Sequence, residues 1–325
     1  MKKILALVLV LILAFGVLVA CGDDAPEDDG SLVIGVSMPT LENAFFVGML
    51  EGIRQGAEIH GVELVELNAN GDIALQTSQV EDLVTQEVDA ILICPIDSDA
   101  IVAVQQSVID AGIPLIYIDR GASSPGYDSF VATDNVAMGA LGAELIADFL
   151  TERHGSPMGK VVELQGLIGT SAARDRGDGF NDRIAEWPDI EIIARQPGDF
   201  NQEVSLAVME NIIQANPEID AVFTHNDDNA LGVLRAIEGA GLLRSPDADD
   251  FIFVVGIDGI SDAIMAVRAG DLAATISQDP IGMGITAVGF ALDIINGDSV
   301  PLTFDQPFYV IDEANANDDD HWGIS

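Results

Sequence analysis

From Leu32 to nearly the end of the chain, short apolar runs alternate with longer amphipathic segments, and this alternation limits the possible folds more than any other feature. LVIGVSM (32–38) precedes the helical VGMLEGIRQGAEIHG, VELVELN (62–68) precedes IALQTSQVEDLVTQEV (73–88), and DAILICP (89–95) precedes DAIVAVQQSVIDAG (99–112). Gly112 stands where a left-handed helix stop is expected, and PLIYIDR (114–120) follows it directly. The pattern recurs at KVVELQG (160–166), IEIIARQ (190–196), IDAVFTHND (219–227) and DFIFVVGIDG (250–259). Buried strands separated by helices call for parallel sheets covered on both faces. About nine or ten such units exceed what one sheet comfortably holds, so a chain of 325 residues is expected to form two α/β domains. The end, DEANANDDDHWGIS (312–325), is polar and aperiodic and reads as frayed.

The beginning belongs to export rather than to the fold. MKKILALVLVLILAFGVLVACGDD carries two lysines, an apolar run from Ile4 to Ala20, and then Cys21. Leu18, Val19, Ala20 and Cys21 resemble the lipobox of bacterial lipoproteins. That resemblance implies a signal peptide over 1–20, a lipid on Cys21 and a polar tether over 21–30, CGDDAPEDDG. An uncleaved membrane anchor is the alternative, since the run approaches spanning length; small Ala20 before Cys21 fits cleavage better. Cys94 is the only other cysteine, so lipidation of Cys21 leaves no intrachain disulfide, and the fold must rest on its core.

Charge removes several classes of partner. The chain carries 54 acidic against 13 basic residues, a net −41, and losing Lys2 and Lys3 with the signal makes it −43. Such a surface repels nucleic-acid phosphates and anionic headgroups. The acids are spread along the chain, as on a solvated surface, and with lysine so scarce they suggest a salt-rich habitat. No cofactor or metal motif is present: there is no G-x-S-x-G, P-loop or H-E-x-x-H. GMGITAVG (282–289) lacks the dinucleotide-binding spacing, and no second histidine stands at metal distance from His225.

Open parallel sheets bind ligands at the carboxyl ends of their strands, and those ends are polar in this chain. Asn43 follows the first strand; Asp119 and Arg120 follow PLIYI; Asn226 and Asp227 follow AVFTH; Asp258 follows FVVGI. Each alone has a plain reading as a turn or helix-cap residue. Arg120 and Arg176 are harder to dismiss in a chain with ten arginines, although both could pair with neighbouring acids. In LENAFFVG (41–48), adjacent Phe45 and Phe46 cannot share the centre of one helical core stripe, so at least one should face something other than the core.

Long local stretches carry a specific resemblance: LENAFFVGM, DSDAIV, IYIDRG, ATDN, ELQGLIGTSAARDRGDGF, QPGDFN, HNDDNALGVLRA, VVGIDGISD and LAATISQ. With these, from about Leu32 to Phe308, the chain resembles the periplasmic sugar-binding proteins of bacterial ABC importers, and within them the ribose-binding branch. The resemblance implies two Rossmann-like lobes of parallel sheet joined by a three-crossover hinge, near Thr133–Asp134, Gln278–Asp279 and Pro307–Phe308. The lobes would be 31–133 plus 279–307 and 134–278 plus 308–325. It implies ligand-binding roles for Asn43, Phe45, Phe46, Asp119 and Arg120 from one lobe, and for Arg176, Phe200, Asn226 and Asp258 from the other, with Gln278 at a crossover. The residue types suit a sugar: flat rings cover its C–H faces, carboxylates accept from hydroxyls, arginines donate, and amides do both. Cys94 departs from the family, where a polar Asn is common; its plain reading is a small buried core residue.

The resemblance further implies an exported, lipid-anchored monomer that captures a monosaccharide, ribose first, and passes it to the transmembrane subunits of an ABC permease. No cofactor, metal or nucleic acid is involved, and the membrane is met only through the lipid. Two other readings stay open. One is a ligand-sensing subunit for a chemoreceptor or sensor kinase. The other is a carbohydrate-active enzyme using Asp119 and Asp258 as an acid/base pair; arginines beside them are expected to hold both ionised, which suits binding better.

Overall fold

A computed structural model describes residues 31–324, so the export signal, Cys21 and the tether lie outside the described residues. The first sheet contains β1 (Val33–Met38), β2 (Glu63–Asn68), β3 (Ala90–Ile93), β4 (Leu115–Ile118), β5 (Ser129–Thr133) and β11 (Thr303–Gln306), in the order β11-β5-β4-β3-β1-β2. The second contains β6 (Gly159–Gln165), β7 (Ile190–Pro197), β8 (Ala221–Thr224), β9 (Phe253–Asp258), β10 (Ala274–Ser277) and β12 (Tyr309–Ile311), in the order β12-β10-β9-β8-β6-β7. One topology thus occurs twice. All pairs are parallel except β12, which runs antiparallel to β10 at the edge.

The apolar runs are these strands. β3, β4, β8 and β10 are buried along their whole length, as expected of strands with helices on both faces. β5, β10, β11 and β12 had no clear apolar run and are additions to the sequence reading.

The connecting helices are α1 (Ala44–His60), α2 (Ile73–Thr85), α3 (Val102–Ala111), α4 (Asn135–His154), α5 (Ser171–Ile184), α6 (Gln202–Ala215), α7 (Asp227–Gly239), α8 (Ser261–Ala269) and α9 (Pro280–Ile295). Local chemistry sets their ends. Asp72, Asp134, Thr170, Asn201 and Asp279 accept first-turn amides, while Gly61, Gly112 and Gly155 close helices at φ of 69°, 73° and 80°.

The chain leaves the first sheet after β5, because α4 packs on α5, β8 and β9 of the second. It returns after β10, because α9 packs on α1 and on β3 to β5, and it passes across once more between β11 and β12. Glycines permit the close approach in both halves. A Cβ on Gly52 would overlap the backbone of Ile281, and one on Gly284 would overlap the backbone around Ile53, so α1 and α9 lie backbone to backbone. Gly139 and Gly179 do the same for α4 and α5.

The C-terminal tail is not frayed. Arg268 Nε donates to Ala316 O (2.7 Å), Asn315 Nδ2 donates to Val310 O (2.8 Å), and buried His321 contacts Tyr309 Oη (3.0 Å) and Asn315 O (2.9 Å). Side-chain partners far back in the chain, invisible in a polar composition, hold it down.

Candidate ligand-binding site

The carboxyl ends of the two sheets supply every predicted site residue. From the first sheet, Asn43, Phe45 and Phe46 follow β1, and Asp119 and Arg120 follow β4. From the second, Arg176 lies on α5 after β6, Phe200 follows β7, Asn226 follows β8, Asp258 ends β9 and Gln278 follows β10. Nine of these ten, with Ala172, line one small cavity of about 20 Å³. Gln278 sits behind it and donates through Nε2 to Asp258 Oδ1 at 2.7 Å. That space holds about one water, so anything larger requires the walls to part. A wider cleft of about 450 Å³ adjoins it and shares Asn43, Phe46, Arg120 and Phe200.

Two asparagines act at once as helix caps and as cavity wall. Asn43 Oδ1 accepts from Phe45 N (2.7 Å) and Asn226 Oδ1 from Asn229 N (3.0 Å), which fixes both amides. Their NH2 groups are left to donate inward: Asn226 Nδ2 lies 3.4 Å from Asp258 Oδ2, and Asn43 Nδ2 donates to Asp228, across the cleft. The plain capping reading is therefore met for both, and both also line the cavity.

Phe45 and Phe46 are both buried, so neither is pushed to solvent. They point apart, with rings edge to face at 5.7 Å. Phe46 lies under the Arg120 guanidinium, 5.0 Å from the ring centre, while Phe45 faces Trp322. Phe200 stands opposite, with Arg120 at 5.2 Å and Arg176 at 5.8 Å from its ring. Its ring fits only because residue 166 is glycine, where a Cβ would overlap it.

The arginines do pair with acids. Arg120 Nε is 3.6 Å from Asp119 Oδ2, and Arg176 NH1 is 3.7 Å from Asp258 Oδ1. Arg176 also donates Nε to Asn135 Oδ1 (2.7 Å) and NH1 to His225 O (2.6 Å), which orients it. His225 is structural; its Nε2 meets Glu163 Oε1 at 3.0 Å inside the second lobe. Arg120 Nε and Gln278 Oε1 are buried without a hydrogen-bond partner, a costly arrangement that suits a ligand rich in donors and acceptors.

The arginines do not keep either aspartate in the ordinary carboxylate range. Burial outweighs the pairing: it raises Asp119 above the usual carboxylate range and pushes Asp258 up to about 7, despite Arg176 and the Gln278 amide. Cys94 is buried as expected, but its thiol also donates to Asp119 Oδ2 at 3.7 Å, and burial raises its pKa well above the usual value.

Backbone strain collects at this site. Of six described non-glycine residues with positive φ, five lie in or beside the cleft: Asn70 (50°), Asp119 (63°), Asp199 (57°), Phe200 (55°) and Asp258 (134°). Asp227 holds the turn after Asp258, accepting from Gly259 N (2.8 Å), Ile260 N (3.0 Å) and Thr275 Oγ1 (2.7 Å).

Among the described residues, three direct bonds join the lobes around the cavity. Besides Asn43 to Asp228, Ser98 N donates to Gly169 O (2.9 Å) and Gly121 N to Ser171 Oγ (2.9 Å). The sequence reading missed Asp228, Ala172 and Trp322; only Asp228 carried a signal, as an acid beside a strand-end asparagine.

A family model described as a periplasmic binding protein domain matches residues 34–299. The chain belongs to the periplasmic binding protein family. It is 38% identical over 315 residues to the ribose import binding protein of Bacillus subtilis (strain 168), covering 94% of this chain and 98% of that one. It is 31% identical over 287 residues to the D-allose-binding periplasmic protein of Escherichia coli (strain K12), covering 85% and 89%. A solved structure of a carbohydrate transporter solute binding protein from Agrobacterium radiobacter, in complex with D-arabinose, superposes with a TM-score of 0.84 at 27% identity, over 91% of this chain and 99% of that one. These relatives place the family member among the type I, sugar-binding branch, whose members are solute-binding proteins. Among the described residues, no group of three or more His, Cys, Asp or Glu side chains could hold a metal.

Proposed function

We propose that this periplasmic binding protein captures a monosaccharide, D-ribose first, between its two lobes and delivers it to an ABC permease. One observation carries the reading. Aromatic faces and charged or amide groups from seven different strand ends meet in a single small cavity or directly behind it. Phe45, Phe46 and Phe200 suit the C–H faces of a sugar. Asp119, Asp258, Arg120, Arg176, Asn43, Asn226 and Gln278 suit its hydroxyls. Relatives named for ribose and allose, and one solved with D-arabinose, support the ligand class and leave the exact sugar to experiment.

The bodies that move are residues 31–133 plus 279–307 against 134–278 plus 308–325. Because each contributes ligand contacts, the sugar binds the closed arrangement better than the open one, and that difference closes the cleft. Export through the 1–20 signal, a lipid on Cys21 and the 21–30 tether would hold a monomer outside the membrane beside its permease. The same closed form could report to a chemoreceptor, and a pull-down with permease or receptor components separates those roles.

A thermal-shift screen with D-ribose, D-allose, D-xylose, D-galactose and myo-inositol tests the reading. A ligand at a thousandfold its Kd adds about 4 kcal/mol to stability, a shift of several degrees, and D-ribose should give the largest. If none of these compounds moves the transition, the proposal fails. One feature favours a second reading: an Asp258 carboxyl near pKa 7 could donate a proton. Chromatography of the same mixtures decides, because any chemical change in the sugar would make the protein an enzyme.

A further inference from the structure

We propose that Trp322, in the C-terminal tail, is a positioning residue that braces the cleft from behind and favours its closed form. This rests on the reading of the cleft as a sugar site. The tail is pinned to the second lobe by Arg268, Asn315 and His321, as described above. From that base the Trp322 indole reaches two cavity-lining residues, one in each lobe.

On its own lobe, Trp322 Nε1 donates to Asp258 O at 2.9 Å. The same carbonyl accepts from Gln278 N at 3.1 Å, so both of its lone pairs are used. Asp258 has φ of 134°, a backbone state that a side-chain-bearing residue holds only when its surroundings enforce it. Gly323 packs so closely on Gly259 to Ser261 that a Cβ there would overlap their backbone. The tail therefore clamps the turn that aims the Asp258 carboxylate.

Across the hinge, the indole meets Phe45 edge to face, with centroids 6.2 Å apart and planes at 84°. It also lies against Gly48 one turn along α1, where a Cβ would come within 2.9 Å of the ring. When the lobes rotate apart, the bond to Asp258 moves with the second lobe, whereas the contacts to Phe45 and Gly48 must change. Trp322 thus contributes free energy that differs between open and closed forms, as a device for closure requires. A tail that merely capped the fold would make contacts to one lobe only.

The test compares the wild-type chain with Trp322→Leu, which loses ring and donor, and Trp322→Phe, which keeps a ring and loses the donor. Two readouts are taken: dissociation of D-ribose by stopped flow, and amide exchange of the sugar-free proteins. The expected result is dissociation about tenfold faster for Trp322→Leu and intermediate for Trp322→Phe. Exchange should rise at residues 45–50 and 258–260 as well as in the tail. Faster exchange confined to 312–324, or wild-type dissociation rates in both variants, would overturn the proposal. If Trp322→Leu does not fold, Trp322→Phe decides through the Gln278 amide, which shares the Asp258 carbonyl. Failure of the wild type to bind D-ribose would count against the sugar reading, and the exchange measurement would still judge the brace.

Discussion

Lowering the pH from 8 to 6 should weaken sugar binding, because it protonates the Asp258 carboxyl. In the sugar-free protein this group titrates near 7, held there by burial against the opposing pull of Arg176 and Gln278. Asp119 and Asp228 add negative charge nearby and push in the same direction as burial, while Asp227 behind the turn is itself pushed well up by burial and by Asp258. His225, whose carbonyl orients Arg176, is shifted downward by burial against the pull of Glu163. Sugar hydroxyls donate to a carboxylate more strongly than to its protonated form, so binding favours ionised Asp258 and lowers its pKa. The sign follows: affinity is full above about 7, and binding near or below 7 releases a proton. Each further pH unit below 7 costs about 1.4 kcal/mol, or about tenfold in Kd. Calorimetry at pH 6, 7 and 8, in two buffers of different ionisation enthalpy, measures both affinity and proton release. Asp258→Asn should bind more weakly at pH 8 and lose the pH dependence. A flat affinity from pH 6 to 8 without proton release would refute the reasoning, as would an Asp258→Asn variant that keeps the wild-type profile.

Arg176→Ala should weaken sugar binding by about 2 kcal/mol or more, as expected for a charged hydrogen bond lost from a buried site, and Arg176→Lys should not restore it because the fork that holds Asn135 and His225 is gone; calorimetry checks both. Gly166→Ala should reduce affinity with little loss of melting temperature, because its Cβ displaces the Phe200 ring at the cleft rather than anything in the core. Gly52→Ala should do the reverse, lowering the melting temperature by forcing α1 away from Ile281. With a formal charge of −41, the chain should melt at higher temperature as KCl rises from 0.1 to 1 M, and a midpoint that does not move would remove the argument for a salt-rich habitat.

The doubled α/β architecture was legible because strands buried on both faces must be written as unbroken apolar runs, and AILI and LIYI are written so. Edge strands carry no such demand. β11 (TFDQ) is mostly exposed and β12 (YVI) is three residues long, so neither leaves a pattern to read. The site residues were legible only as a set. Asn43 and Asn226 look like ordinary caps, and they are caps; the second role proposed for them is open because the cap fixes one end of the amide and frees the other. The protonation state of the aspartates was not legible. Counting arginines near them predicts lowered pKa values, whereas burial outweighs the arginines and raises both, and burial at a cleft has no counterpart in local sequence. Trp322 was hidden for a similar reason, since its partners lie 64 and 277 positions earlier, at Asp258 and Phe45.

On the proposed function, binding and closure draw on the same residues. Each half repeats one strand order, and each places at the cleft the N-terminus of the helix that follows its first strand, α1 after β1 and α5 after β6. Neither half alone can surround a sugar, because its strand ends form one wall. Asn43 and Gly121 of the first half spend hydrogen bonds directly on Asp228 and Ser171 of the second. Part of the closing energy is therefore available before any ligand contact is made, and the sugar has only to supply the remainder. A lobe-to-lobe bond that strengthens closure also raises the fraction of protein competent to hold the ligand, so affinity can be tuned at Asp228 without altering a residue that lines the inner cavity.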